Sequence, residues 1–178
     1  MERAPQGGLI YDVRIGVLAH DVPLTSNNKE SPGVDLNLEV TFAPSVAFLF
    51  GTIRPALGAT INFAGHTSKV YLDARWQVEC CWGGFFALGI GAAIHNGEVD
   101  SLANLGSLTG SALLRAVATS ERHKQLGSRV LFHPNVEWGY RLSERNSVSI
   151  YWEHISNANI AKRNEGLDTL GLRYGYRY

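Results

Sequence analysis

Apolar and polar side chains alternate with a period of two residues along most of the chain. Successive side chains of a β-strand point to opposite faces, so each alternating segment predicts a strand with one apolar and one polar face. In the first segment, the apolar face is predicted to carry Leu9, Tyr11, Val13, Ile15 and Val17. Eight segments show this pattern: 9–20, 34–42, 53–63, 70–79, 85–96, 128–142, 147–156 and 167–178.

The number and length of these segments indicate a fold class. Tilted strands need about 9 to 11 residues to cross a bilayer, and an even set of eight is the smallest transmembrane barrel. Closure into a barrel also removes the unpaired edges that an open sheet exposes. We therefore predict an all-β protein in which residues 1–178 form a single eight-stranded antiparallel transmembrane β-barrel.

Periodicity alone does not say which face points outward, because a soluble lipocalin-like carrier alternates too, with its apolar face inside. Aromatic residues near strand ends favour the membrane, since they resemble an interfacial girdle: Trp138, Tyr140, Tyr176 and Tyr178. The chain also ends on an aromatic residue, which resembles the C-terminal signal of bacterial outer-membrane barrels. The polar faces carry charges of both signs, which can neutralise one another inside a narrow barrel: Asp12, Arg14, Asp35, Glu39, Arg54, Asp73, Arg75, Glu79, Arg129, Glu137, Arg141, Glu153, Arg173 and Arg177.

The connections alternate in length, as a transmembrane barrel requires. Those at 79–84 and 143–146 are tight, and those at 21–33, 97–127 and 157–166 are longer and are expected to face out of the cell. The apolar turn at 43–52 is longer than this pattern predicts. Within the longest connection, 113–118 has the composition of a short interfacial helix, with a plain loop as the alternative.

Composition narrows the function classes. The chain has 16 basic and 16 acidic residues and no net charge, which argues against a nucleic-acid partner. Its two cysteines, Cys80 and Cys81, are adjacent, so they form neither a disulfide framework nor a metal-binding spacing. Residues 1–5 are not followed by an apolar signal core, and we expect the mature form of an exported protein.

Two polar residues interrupt the apolar face of the seventh segment. His154 and Ser156 continue the face that begins with Val148, Ile150 and Trp152. Residues i and i+2 of a strand lie about 6.5 to 7 Å apart on one face, within reach for a histidine base and a serine nucleophile. Asp168 has the same parity in the eighth segment, and a register that places it opposite His154 brings together a serine-hydrolase triad on the outer wall.

The remaining candidate residues have structural interpretations. His20, His66 and His123 are expected in loops or at strand ends, and His95 and His133 in the lumen, with no metal-ligand spacing. Glu153 and Arg173 are expected in a luminal charge network rather than as an acid/base pair. The glycine-rich 83–91 makes room in a narrow lumen and is no phosphate cradle, because no helix follows it.

The stretch His154-Ile155-Ser156-Asn157-Ala158, with Asn164 and Asp168 downstream, resembles the motif of the lipid A 3-O-deacylases (PagL-type) of Gram-negative bacteria. That resemblance implies an eight-stranded outer-membrane barrel that hydrolyses the ester-linked acyl chain at the 3-position of lipid A. It implies His154 as base, Ser156 as nucleophile, Asp168 as orienter and Asn164 as oxyanion donor. Asn157 and Gly166 belong to the same oxyanion and substrate-binding loop.

The sequence departs from the family pattern at two positions. Asp168 stands where a well-studied member of the family has Glu, which shortens its reach by one methylene, and Asn159 stands where that member has Gly. The expected partner is lipid A or lipopolysaccharide in the outer leaflet, with neither cofactor nor metal, and a homodimer is left open. The alternatives are a non-catalytic structural or adhesion barrel, a soluble lipocalin-like carrier and a palmitoyl-transferring barrel.

Overall fold

The computed structural model describes residues 8–178, and residues 1–5 discussed above lie outside this range. The side chains of Cys81 and Leu105 are likewise outside the description. The described chain is built of strands, with one longer helix, α1, at Gly110–Arg122. The strands are β1 Ile10–Ala19, β2 Val34–Phe42, β3 Val46–Phe48, β4 Gly51–Asn62, β5 Lys69–Glu79, β6 Gly84–His95, β7 Val130–Phe132, β8 Asn135–Arg141, β9 Asn146–Ile155 and β10 Leu167–Arg177.

These strands close into an eight-stranded antiparallel barrel, as the alternation predicts. The sheet runs from β2 through β1, β10, β9, β8, β6 and β5 to β4, and β4 pairs with β2 to close the ring. β7 and β8 are two halves of one barrel strand, because both pair with β6 in a single register. Pro134 separates the halves, since it has no backbone N–H for the ladder.

The unusual turn at 43–52 contains β3, a short strand that extends the end of the barrel. Its residues pair with the beginning of β4, from Val46 opposite Ile53 to Phe48 opposite Gly51. Leu49 and Phe50, at the tip of this hairpin, have φ angles of 43° and 63° and are exposed. The apolar turn is thus a hairpin and not an irregular loop.

The polar face of the barrel is inside. Glu39 and Glu137 are buried among Arg14, Arg75 and Arg173, with Arg173 Nη2 2.7 Å from Glu39 Oε1. Large apolar side chains cover the outside, including Ile15, Val17, Leu57, Leu72, Ile90, Trp138, Ile150 and Leu172. This arrangement excludes the lipocalin-like alternative, whose apolar face would be inside. Of the predicted luminal charges, Glu79, Arg129, Arg141 and Arg177 lie at or near the strand ends, where they are less buried.

Glu153 and Arg173 take part in luminal charge clusters, as expected. Glu153 accepts hydrogen bonds from Thr60 and Thr169 and forms ion pairs with Lys69 at 2.8 Å and His133 at 3.0 Å. Close packing explains the luminal glycines, since a Cβ at position 89 would lie 2.3 Å from Asn135 Oδ1.

Tyr11 lies inside the barrel, and the prediction that it faces outward is wrong. The register of β1 against β2 shifts between Ile10 and Asp12, as in a β-bulge, which changes the side-chain parity at this end. The ring is 4% exposed and packs under two guanidinium groups, with Arg54 Cζ 3.9 Å and Arg177 Cζ 4.8 Å from its centroid.

The long connections form a packed layer at one end of the barrel. The predicted helix around 113–118 exists as α1, which spans 13 residues. Lys29 Nζ donates to Glu165 Oε1 at 2.5 Å, and the backbone N–H of Gln125 donates to Glu165 Oε2 at 2.6 Å. Lys124 Nζ lies 3.1 Å from Asp21 Oδ1. These bonds join the connections at 20–33, 96–129 and 156–166. Among the described helices, none combines the length and the apolar character needed to span a membrane.

Candidate active site

The predicted register between the last two strands is confirmed. Asp168 is the direct partner of His154 in the β9–β10 ladder, and its Oδ1 lies 2.9 Å from His154 Nδ1. The shorter aspartate therefore reaches the imidazole without displacement of either strand. This contact fixes the ring orientation through Nδ1 and leaves Nε2 for proton transfer.

The Asp168 carboxylate is covered and accepts hydrogen bonds from the loop at 20–33. Thr25 and Ser26 each donate a backbone N–H and a hydroxyl to it, at 2.8 to 3.0 Å. Trp152 donates its indole N–H at 3.0 Å, and its ring lies nearly parallel to that of His154 with centroids 6.2 Å apart. Together with His154, these groups leave the carboxylate with 0% of its side chain exposed. This many donors favours the ionised form.

Thr25, Ser26 and Trp152 are site residues that the sequence reasoning missed. Thr25 and Ser26 are more than 140 positions from Asp168 in the chain, and no motif connects the two regions. Trp152 lies two residues before His154 on the same face of β9, so side-chain alternation alone could have identified it.

Ser156 follows His154 on the same side of the chain, immediately beyond the end of β9. Its backbone forms an isolated antiparallel bridge with Phe132, which holds it against the neighbouring barrel strand. Within the described residues, no hydrogen bond joins Ser156 to His154. The structure thus brings His154 and Asp168 into contact and leaves Ser156 two residues after His154 in the chain without a hydrogen bond to it.

The loop after Ser156 is held by two asparagines. Asn164 Oδ1 accepts the backbone N–H of Asn157 at 2.8 Å, and Asn164 Nδ2 donates to Asn159 Oδ1 at 3.0 Å. The side-chain amide of Asn157 donates to the carbonyls of Leu126 and Arg163. An amide has two N–H donors, so Asn164 retains one for a substrate, whereas both of those on Asn157 are engaged. Asn159 has a φ of 63°, a conformation that asparagine tolerates better than most residues.

Gly166 lies directly against the catalytic candidate His154. Its φ is +62°, and a Cβ at this position would lie 2.8 Å from His154 Cε1 and 3.3 Å from Nε2. Glycine therefore serves two needs here, a left-handed backbone and close approach of the imidazole.

An apolar groove runs along the outer wall below this site. Val148 and Ile150 of β9, with Leu172 and Tyr174 of β10, line part of it, and all four side chains are exposed. Trp138 from β8 lies on the same wall. The groove continues to Cys80 and Trp82 at the opposite end of the barrel, and its lining includes neither His154 nor Ser156.

A second polar group lies at the same end of the barrel. His20 Nδ1 is 2.9 Å from Asp35 Oδ2, and His20 Nε2 is 2.9 Å from Glu30 Oε2. Burial disfavours the charged ring, but the two carboxylates outweigh it and raise the pKa of His20 to about 9. Burial alone would raise the pKa of Glu30, but hydrogen bonds from His20, Thr67 and Lys124 lower it to about 2.

Fold and site together define a class of protein: a transmembrane β-barrel with a histidine–aspartate pair and an adjacent serine on its outer wall, at the end that carries the long connections. The lipid A 3-O-deacylase (PagL) family matches residues 70–177, which is more than half of the chain. The chain belongs to this family, and it is a protein of the bacterial outer membrane.

Individual relatives agree with this assignment. Lipid A deacylase PagL of Bordetella bronchiseptica (strain ATCC BAA-588 / NCTC 13252 / RB50) is 34% identical over 61 residues, a stretch that spans about a third (34%) of each chain. The crystal structure of the outer membrane enzyme PagL superposes with a TM-score of 0.65 at 18% identity, covering 94% of this chain and 99% of that one. Neisserial surface protein A gives 0.55 at 8% identity, covering 94% and 97%. At these identities the two structures show the shared barrel fold.

Proposed function

We propose that this chain is a lipid A deacylase that hydrolyses the ester-linked acyl chain at the 3-position, with Ser156 as nucleophile, His154 as base and Asp168 as orienter. The observation that supports it most is the 2.9 Å contact between His154 and Asp168 on the outward parity of β9 and β10, next to Ser156. Family membership supplies the substrate class.

The chemistry is a two-step acyl transfer. His154 Nε2 removes the proton of Ser156 while Oγ attacks the ester carbonyl, and the remaining N–H of Asn164 donates to the oxyanion. Collapse of this intermediate breaks the ester C–O bond, and the imidazolium returns the proton to the sugar oxygen that leaves. A water molecule, deprotonated by His154, then cleaves the acyl-serine and releases a 3-hydroxy fatty acid.

The location of the site fits a substrate embedded in the outer leaflet. Lipid A presents its acyl esters at the depth of the headgroups, next to the outer wall of a barrel. His154 remains 15% exposed on this wall, whereas the lumen is filled by ion pairs and offers no route for a lipid. Only a site on the outer wall can therefore reach the acyl ester bond of lipid A.

The test is the mass spectrum of lipid A from cells that express the parent chain, Ser156→Ala or Ser45→Ala. Ser45 is exposed at the opposite end of the barrel and serves as the control for expression and insertion. We expect loss of one 3-hydroxyacyl group with the parent and the control, and unmodified lipid A with Ser156→Ala.

The other outcomes identify the alternatives. Deacylation by a folded Ser156→Ala variant at the parent rate would refute Ser156 as nucleophile. Unmodified lipid A with the inserted parent chain would indicate a non-catalytic structural or adhesion barrel. A gain of mass from a phospholipid-derived acyl chain would indicate a palmitoyl-transferring barrel.

A further inference from the structure

Three connections at the extracellular end bring two histidines and a glutamate together. Glu30 comes from the loop between β1 and β2, His66 from the turn between β4 and β5, and His123 follows the last residue of α1. One ligand atom from each lies within 4.8 Å of the others, and His123 Nδ1 is 3.8 Å from Glu30 Oε1. The spacing along the sequence conceals this group, because its members are 36 and 57 positions apart.

The carboxylate of this group is fixed before any ligand arrives. Glu30 is 3% exposed, and His20 holds its Oε2 at 2.9 Å. Thr67 donates its backbone N–H to Oε2 and its hydroxyl to Oε1, and the backbone N–H of Lys124 reaches Oε1 at 3.2 Å. Oε1, whose contact with Lys124 is the longest of these, is also the oxygen that faces His123. Carboxylate ligands of metals are typically held by such outer hydrogen bonds.

One imidazole nitrogen of this group lacks a hydrogen-bond partner among the described residues. It is the buried Nδ1 of His66, whose ring packs between those of His20 and His123 at centroid distances of 5.4 and 6.1 Å. Buried polar atoms are nearly always satisfied, and one that is not requires an explanation. A metal ion that accepts the lone pair of Nδ1 provides it.

We propose that Glu30, His66 and His123 bind a divalent transition-metal ion of the zinc class. Two imidazoles and one carboxylate suit zinc, copper or nickel rather than calcium or magnesium. Ligand atoms around tetrahedral zinc are about 3.3 Å apart, given Zn–N and Zn–O distances near 2.0 to 2.1 Å. The ligand atoms lie within 4.8 Å of one another, with 3.8 Å between His123 Nδ1 and Glu30 Oε1, so small movements of the two histidines toward Glu30 would bring them to this spacing. Water completes the coordination on the side of His123, whose side chain is 36% exposed.

The site joins loops that hydrogen bonds and ion pairs also hold together. Its Glu30 lies in the same loop as Thr25 and Ser26, which donate to Asp168. A bound ion therefore restrains the loop that covers the candidate catalytic acid. It stabilises the folded protein, because a ligand that binds only the native state shifts the unfolding equilibrium.

The first experiment measures Zn²⁺ binding to the untagged, folded protein in detergent by calorimetry. We expect binding of one ion, weakened about tenfold or more in His66→Gln and in His123→Gln, in line with the losses caused by altered metal sites. His154→Gln is the control for binding at the candidate active site and should bind Zn²⁺ as the parent does. Parent-like binding by both His66→Gln and His123→Gln, or loss of binding in His154→Gln, overturns the proposal.

A second measurement reports the coordination of the bound ion. Co²⁺ in the same site should give visible absorption typical of four-coordinate N/O ligation, absent in His123→Gln. This variant is the safer of the two for folding because His123 is partly exposed. Zn²⁺ should also raise the unfolding temperature of the parent, but not that of His123→Gln. A parent chain that binds no Co²⁺ or Zn²⁺ would refute the site outright.

Discussion

Substitution of Gly166 by alanine tests whether the position of the His154 ring controls activity. The new Cβ would lie 2.8 Å from His154 Cε1, so the ring has to move by about 0.6 Å to restore a normal contact of 3.4 Å. Because misplacement by about 1 Å can reduce an enzymatic rate about 100-fold, we expect kcat for lipid A deacylation to fall roughly tenfold. KM should change little, because Gly166 has no side chain that contacts a substrate and the added methyl group faces His154.

Alanine at this position also strains the backbone, and a control variant has to separate that effect. Gly110 has a φ of +56°, close to the +62° of Gly166, but a Cβ there meets nothing within 4 Å. The strained backbone alone should therefore lower the free energy of unfolding of both variants by a similar amount, about 1 to 2 kcal/mol for a left-handed L-residue. The assay is deacylation of purified lipopolysaccharide in micelles, normalised to folded protein by heat-modifiable gel migration. Equal kcat in the two variants would refute the role assigned to the contact with His154.

Two further substitutions test the support of the acid and the luminal charges. Thr25→Val keeps the side-chain shape but removes a hydroxyl within 3.0 Å of both Asp168 and His154. We expect kcat to fall several-fold, up to about tenfold, because a charge-assisted hydrogen bond is lost. An unchanged kcat in a deacylation assay would contradict this. Glu137→Gln removes one of the two glutamates that neutralise the buried guanidinium groups of Arg75 and Arg173, and it should lower the free energy of urea-induced unfolding by about 3 to 5 kcal/mol. Glu144→Gln, in an exposed turn, should change it by less than about 0.5 kcal/mol, and equal effects of the two substitutions would show that the luminal network does not determine stability.

Most of the barrel could be predicted because its determinants are local. A period of two residues recurs in every strand, and a one-residue slip would expose the charged face to lipid, so pattern and register determine each other. The prediction was wrong at Tyr11, where a bulge moves the side chain inward. A bulge depends on the pairing with β2, and nothing in the alternation of β1 itself reveals it. The hairpin at Val46–Phe48 was missed for a related reason, since three residues are too few to show a period.

The contact between His154 and Asp168 was accessible from sequence because both residues lie in one hairpin with a fixed parity. The positions of Thr25 and Ser26, which cover Asp168, were not accessible from sequence, since they depend on how the loop at 20–33 folds over β10. That fold is determined by tertiary contacts such as Lys124 with Asp21 and Lys29 with Glu165. The grouping of Glu30, His66 and His123 was inaccessible for the same reason.

The shorter acid makes the orientation of the histidine depend on the loop at 20–33. A longer carboxylate has freedom to follow the ring, whereas Asp168 is fixed by direct opposition to His154 and by donors from Thr25, Ser26 and Trp152. Four of these donors belong to the loop at 20–33, so a shift of that loop removes most of what holds the carboxylate. Any change that moves this loop, including a ligand at Glu30, should therefore alter kcat without touching the three residues of the proposed triad.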